Sequence, residues 1–159
     1  MATIKDKMTS GFCAALEETV RNSVKQTLEA MFGCRIDVSR SLAENTGDAV
    51  IASVNFRQGI DVITLQLVFE RSFIRLLVQE FYAGNAVPVS DDEICNDSAC
   101  ELANIICHKI KFFMNSNGFM FVTDLPVAGT AASTDNAIVS MNFSMLEKGK
   151  STVLFVNMG

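Results

Sequence analysis

The chain has 159 residues, enough for one domain to bury a sizeable core without disulfides or a structural metal. Hydrophobic residues make up 49% of it, yet no apolar run approaches the ~18–20 residues that span a bilayer, so membrane insertion is excluded. The formal charge is −5 and no stretch concentrates Lys and Arg, which removes the positive footprint a nucleic-acid partner needs.

The segment from Met1 to Ser10 carries lysines but no apolar stretch of the kind that directs export. Five cysteines (Cys13, Cys34, Cys95, Cys100 and Cys107) make an odd number, and together these features read as reduced thiols in a cytoplasmic protein. Cys100 and Cys107 share a face of a predicted helix but stand ~10 Å apart along its axis, too far for a disulfide. With one histidine, His108, and no C-x-x-C pair, no metal site is expected.

In chain order, the first strong period is helical. Phe12, Leu16, Val20, Val24, Leu28, Met31 and Phe32 recur at three- and four-residue intervals, with Glu17, Glu18, Arg21 and Lys25 on the other side. Thr9 or Ser10 can cap its start, and Gly33 stands where it should stop. An alternating strand follows, with Cys34, Ile36 and Val38 pointing one way and Arg35, Asp37 and Ser39 the other. Val50 to Phe56 and Ile60 to Phe69 predict a hairpin turned at Gln58-Gly59. A helix from about Ser72 to Tyr82 comes next, stopped by Gly84 and Pro88.

The second half repeats the order. Ser90 and Glu93 form a capping box for a helix running to about Asn115, with Gly118 beyond its end. A strand over Phe119 to Thr123 precedes a small-residue loop from Ala128 to Ser133. A second hairpin closes the chain, Ala137 to Leu146 and Thr152 to Asn157, turned around Lys148-Gly149. Its first arm alternates Val139, Met141, Phe143 and Met145 with Ser140, Asn142 and Ser144. The expected fold class is α/β of the α+β type. Two pseudo-repeated αβββ halves form an antiparallel-rich sheet packed by long helices, as a single domain over residues 1–159.

The second long helix carries the chemistry. At 100° per residue, Asp97, Glu101, Asn104, His108, Lys111 and Asn115 fall within one sector. Ile94, Leu102, Ile105, Ile106, Ile110, Phe112, Phe113 and Met114 fill most of the remaining circumference. Simple solvation of a half-buried helix explains such a stripe by itself. His108 invites a general-base role, although a lone helical histidine is more often packed or merely exposed.

The stretch DSACELANIICHKIKFFM resembles the signature helix of the CheC/CheX family of chemotaxis phosphatases. That signature has Asp or Ser, three residues, Glu, two residues and Asn, then a proline about twenty-two positions on. Asp97, Glu101, Asn104 and Pro126 fill these places, with Gly129 following the proline, and the tandem αβββ order is similar to the family's fold. Only the second half carries the motif, because Arg21 stands three residues after Glu18 where an Asn would be needed. One motif per chain resembles the CheX branch. Cys107 and His108 depart from the small residues that family helices often carry after the Asn.

The resemblance implies hydrolysis of the aspartyl phosphate on a CheY-like response regulator. Asn104 would orient the attacking water and Glu101 would pair with a lysine of the partner. Asp97, His108 and Lys111 would serve docking, and Pro126 would be structural. No cofactor is expected on this chain; Mg²⁺ would sit on the phosphorylated regulator. A homodimer is implied as well. A non-catalytic CheX-like module that docks a regulator or a flagellar-switch protein, or a purely structural oligomerisation domain, is the alternative.

Overall fold

The computed structural model describes residues 4–33, 35–39, 49–82, 92–129, 138–147 and 150–159. A short helix α1 (Ile4–Lys7), absent from the sequence reading, precedes α2 (Ser10–Phe32). Thr9 caps α2 by accepting from the Phe12 N–H at 3.1 Å, and Gly33 ends it in the left-handed conformation at φ 63°. Strand β1 (Ile36–Ser39) follows, then β2 (Ala49–Gln58) and β3 (Asp61–Glu70). Helices α3 (Arg71–Phe81) and α4 (Asp92–Ser116) join the halves. The second half continues as β4 (Val122–Thr123), β5 (Val127–Ala128), β6 (Val139–Glu147) and β7 (Lys150–Met158).

All strand pairings are antiparallel, in the order β1-β6-β7-β3-β2-β4, with β5 also on β2. The two hairpins, β2–β3 and β6–β7, meet at the centre through β3 and β7. Each half's leading strand then crosses over: β1 joins the second hairpin at β6, whereas β4 and β5 join the first at β2. The halves are thus interlocked, since neither hairpin has its own half's first strand beside it.

Alternation along the strands supplies one apolar face. Ala52, Val54 and Phe56 of β2, Leu65, Leu67 and Phe69 of β3, and Met141 and Phe143 of β6 are all buried. Helix α4 packs on β2 and touches both α2 and α3, while α2 lies against β1 and β6. Leu16, Val20, Val24 and Leu28 of α2 and Leu102, Ile106 and Ile110 of α4 complete a continuous core. At the intervening strand positions polar residues pair across β2 and β3. Thr64 donates to the Asn55 side chain at 2.8 Å, and Gln66 donates to the Ser53 hydroxyl at 3.5 Å.

Three details differ from the expectations drawn from the sequence. The first hairpin turns at Gly59-Ile60, one position later than expected, because Gln58 still pairs with Asp61. Gly59 adopts φ 61°, which a two-residue turn requires and which glycine takes without strain. The strand expected over Phe119 to Thr123 shrinks to Val122–Thr123. Ala128, read as the start of a loop, closes the additional strand β5. The Ser90 cap, the Gly84 and Pro88 stops, Cys34 and the Lys148-Gly149 turn lie outside the described residues.

Candidate functional site

Helix α4 is buried along most of its length: Cys95, Ala99, Leu102, Ala103, Ile106, Cys107, Ile110 and Met114 all face the interior. Asp97, Glu101, Asn104 and His108 are exposed on the opposite side, and Lys111 and Asn115 are half-buried. The predicted stripe therefore faces outward as a continuous row. Glu101 and Asn104 are neighbours one turn apart, ~4.5 Å along the axis. Among the described residues, Asp97, Glu101, His108 and Lys111 make no side-chain hydrogen bond or ion pair. Their polar atoms are available to a partner.

The helix is held firmly beneath that row. Lys109, on the flank, donates to the Thr27 hydroxyl of α2 at 2.9 Å. The buried Cys107 thiol donates to the Asn104 carbonyl at 3.1 Å and lies 4.0 Å from the Asn104 side-chain oxygen. Burial pushes the Cys107 thiol up to about 11, with the Lys111 charge pulling weakly the other way. The thiol therefore stays protonated at neutral pH, as a small inert group under the site. Burial, and then the nearby Asp97 charge, also raise the Cys100 thiol.

Asn115 does not belong with the free residues of the stripe. Its amide donates to the Phe121 carbonyl at 3.1 Å and its oxygen accepts from the Phe121 N–H at 2.8 Å. This two-way clamp satisfies a buried segment of backbone that no strand pairs, so the residue is structural. The clamp also delivers the chain to the edge of β2. There β4 pairs Thr123 with Phe56, and β5 pairs Val127 with Ser53. Three residues, 124–126, thus oppose two, Val54 and Asn55, which makes a bulge with Pro126 in it. Proline suits that position because it has no N–H to lose from a ladder. The Arg57–Asp124 ion pair and the Asp124 N–H donated to the Asn55 carbonyl pin the bulge to β2.

Both β4 and β5 touch α4, so the bulged edge runs beside the helix that carries the stripe. That edge presents large apolar side chains, two of them within the strand expected over Phe119 to Thr123. Val122 is 65% exposed and Leu125 84%, and Met120 before them is 79% exposed. On α4 itself Phe112 is 77% exposed. Its place on the wheel, about 20° beyond Glu101 at the border of the stripe, was the available signal. No group of three His, Cys, Asp or Glu residues able to hold a metal stands together among the described residues, and none of their helices is long and apolar enough to cross a membrane.

No protein-family profile matches the sequence, and no curated relative matches it. The fold does find counterparts among solved structures. CheX, a chemotaxis protein from Vibrio vulnificus, aligns with TM-score 0.70 at 16% identity, over 92% of this chain and 98% of that one. A CheC-like superfamily protein from Shewanella sp. PV-4 aligns with TM-score 0.67 at 14% identity, over 91% and 97%. CheX in the CheX–CheY–BeF3–Mg complex from Borrelia burgdorferi aligns with TM-score 0.63 at 12% identity, over 89% and 96%. The class is a tandem αβββ sheet with crossed leading strands and a long helix laid across it. More particularly, the chain has the CheC/CheX fold.

Proposed function

We propose that this protein hydrolyses the aspartyl phosphate of a CheY-like response regulator, as a CheX-like phosphatase acting through one site per chain. The observation that carries the reading is the pair Glu101 and Asn104, exposed side by side on a long helix of a CheC/CheX-type fold. Phosphoryl transfer needs a water held in line behind phosphorus and charge stabilisation around it, and little covalent chemistry falls to the catalyst. The Asn104 carboxamide both donates and accepts, so it can hold and orient that water. Glu101 forms a charge-assisted bond to a lysine beside the acyl phosphate and thereby sets the docking register. Mg²⁺ belongs to the regulator.

Asp97 lies one turn before Glu101 and assists orientation at the rim; His108 and Lys111 extend the docking surface beyond Asn104. Pro126 acts indirectly, by forming the bulge that puts an apolar ridge next to the stripe. The protein works in the cytoplasm as a single domain and pairs as a homodimer through a sheet edge. The bulged edge is a poor template for a further strand, which leaves β1 as the edge to pair. Both stripes stay open in such a dimer. Light scattering at micromolar protein reports the mass, and a dimer with both copies of Asn104 covered contradicts the phosphatase reading.

The decisive test is phosphoryl loss from a panel of purified response regulators of the same genome, with and without this protein. A phosphatase shortens the phosphoryl lifetime of its cognate regulator and loses this effect in Asn104→Ala. A non-catalytic docking module leaves the lifetime unchanged or lengthens it. A purely structural domain binds no regulator in a manner that depends on Glu101.

A further inference from the structure

The charges of the stripe are ordered along α4. Asp97 and Glu101 lie on the N-terminal side of Asn104, whereas His108 and Lys111 lie on the C-terminal side. Complementing the helix dipole does not account for this order, because that effect is confined to the first and last turns. Those turns hold Asp92 and Glu93 at one end and no basic residue at the other, and all four stripe residues stand inside them. The order is a property of the exposed face.

The C-terminal part of that face carries a shallow, open hollow. A surface cavity of about 450 Å³ is lined by His108, Lys111, Phe112, Asn115 and Ser116, one turn beyond Asn104. No carboxylate is among these residues, in a chain whose formal charge is −5. Other polar groups of the lining are already engaged. Asn115 is committed to Phe121, and the Ser116 hydroxyl donates to the Phe112 carbonyl at 2.7 Å. The Lys111 ammonium and the His108 ring remain unpaired among the described residues, next to the exposed Phe112 ring.

We infer that this cavity is a specificity pocket for an acidic side chain of the docked response regulator, an Asp or Glu flanked by apolar residues. The inference rests on the phosphatase reading for the identity of the partner. A carboxylate entering the pocket accepts from Lys111 and from the His108 ring, while its apolar neighbours cover Phe112. Together with Glu101 the pocket makes docking two-signed. The partner must present a cation toward Glu101 and an anion toward Lys111, with the acyl phosphate between them over Asn104. A regulator with either charge reversed is rejected by like-charge contact, so the pocket selects among regulators and takes no part in the chemistry.

The test uses the full chain, with affinity measured on regulators activated with beryllium fluoride and Mg²⁺ and saturated turnover measured on the same regulators phosphorylated at their aspartate, for wild type, Lys111→Glu, Lys111→Met and Asn104→Ala. Lys111→Glu should weaken binding by at least about tenfold, with turnover at saturation unchanged, and Lys111→Met should weaken it less. Raising the salt should weaken wild type more than Lys111→Met. Wild-type affinity in Lys111→Glu overturns the pocket, even when Asn104→Ala has lost turnover and the phosphatase reading holds. Weakened binding by Lys111→Glu, with no turnover by wild type, supports the pocket and sinks the phosphatase reading. Loss of self-association in place of regulator binding overturns the inference in favour of a second copy as the occupant.

Discussion

The polar faces of α2 and α4 occupy equivalent places in the two halves, yet they are built for different ends. On α2 the charges satisfy one another: Arg21 meets Glu17 at 3.6 Å and Lys25 meets Glu29 at 3.9 Å, both at i,i+4 spacing. Glu29 also accepts the Ile36 N–H at 3.2 Å, which ties the helix to the start of β1. On α4 the charges of the stripe form no ion pair within the described chain. The leading strands differ in the same sense. β1 pairs with β6 in unbroken register, whereas its counterpart is split into β4 and β5 by the bulge at Pro126. One half closes its polar groups on itself, and the other leaves them open beside an apolar ridge. The two halves use similar scaffolds, and the α4 half keeps a whole row of polar groups on its surface free of ion pairs among the described residues.

The largest expected effect breaks this contrast at its centre. Asn104→Ala should lower turnover by on the order of 10²-fold or more, because the group that orients the water is gone. Regulator affinity and melting temperature should stay near wild type, since the Asn104 side chain is exposed. Near-normal turnover by the folded variant would sink the mechanism. Glu101 ranks next. Glu101→Ala should weaken both docking and turnover, and Glu101→Lys should abolish docking through like-charge contact with the partner lysine. Normal binding by the charge reversal in titration calorimetry would show that Glu101 meets no cation.

Much of this architecture can be read from residue periodicity. The 3.6-residue repeat from Phe12 to Phe32, the Thr9 cap and the Gly33 stop define α2 in sequence and in space. The alternation from Val139 to Phe143 defines β6, and the outward direction of Asp97, Glu101 and Asn104 follows from counting turns. What periodicity cannot reveal is the exchange of leading strands, because register depends on contacts far apart in the chain. Nor does it reveal the bulge. The segment from Phe119 to Ala128 looks like one strand followed by a loop until β2 is laid beside it. Asn115 shows the same limit. On the wheel it is one more polar residue of the stripe, yet its partner is a backbone segment six residues ahead. Phe112 is the converse case, an apolar residue of the wheel whose burial periodicity leaves open and which the structure leaves outside.

Asn115 gives the next prediction. Asn115→Ala removes both bonds to Phe121 and leaves a largely buried N–H and C=O without partners, at a cost of about 1–3 kcal/mol. Urea unfolding should show the loss as a lower midpoint with an unchanged slope. A stability equal to wild type would mean that the clamp only records where Phe121 lies and does not hold it there.

The smallest effect completes the contrast from the α2 side. Arg21 and Glu17 are partly exposed, with 38% and 24% of their side-chain surface open, so solvent and salt screen their attraction. An i,i+4 pair of this kind contributes about 0.3–0.5 kcal/mol, and in a protein of this size its loss shifts the melting temperature by about 1–2 °C. Arg21→Ala should therefore cost that small stability at low salt, lose the difference at high salt, and leave turnover and regulator affinity untouched. Glu101→Ala should do the reverse, changing docking while leaving stability alone, because Glu101 has no partner within the described chain to lose. Measuring melting temperature and regulator affinity on both variants gives four values whose pattern tests the division of labour directly. A loss of affinity in Arg21→Ala would mean that α2 also faces the regulator. A loss of stability in Glu101→Ala would mean that the α4 stripe is already satisfied within the protein and is not held open for a partner.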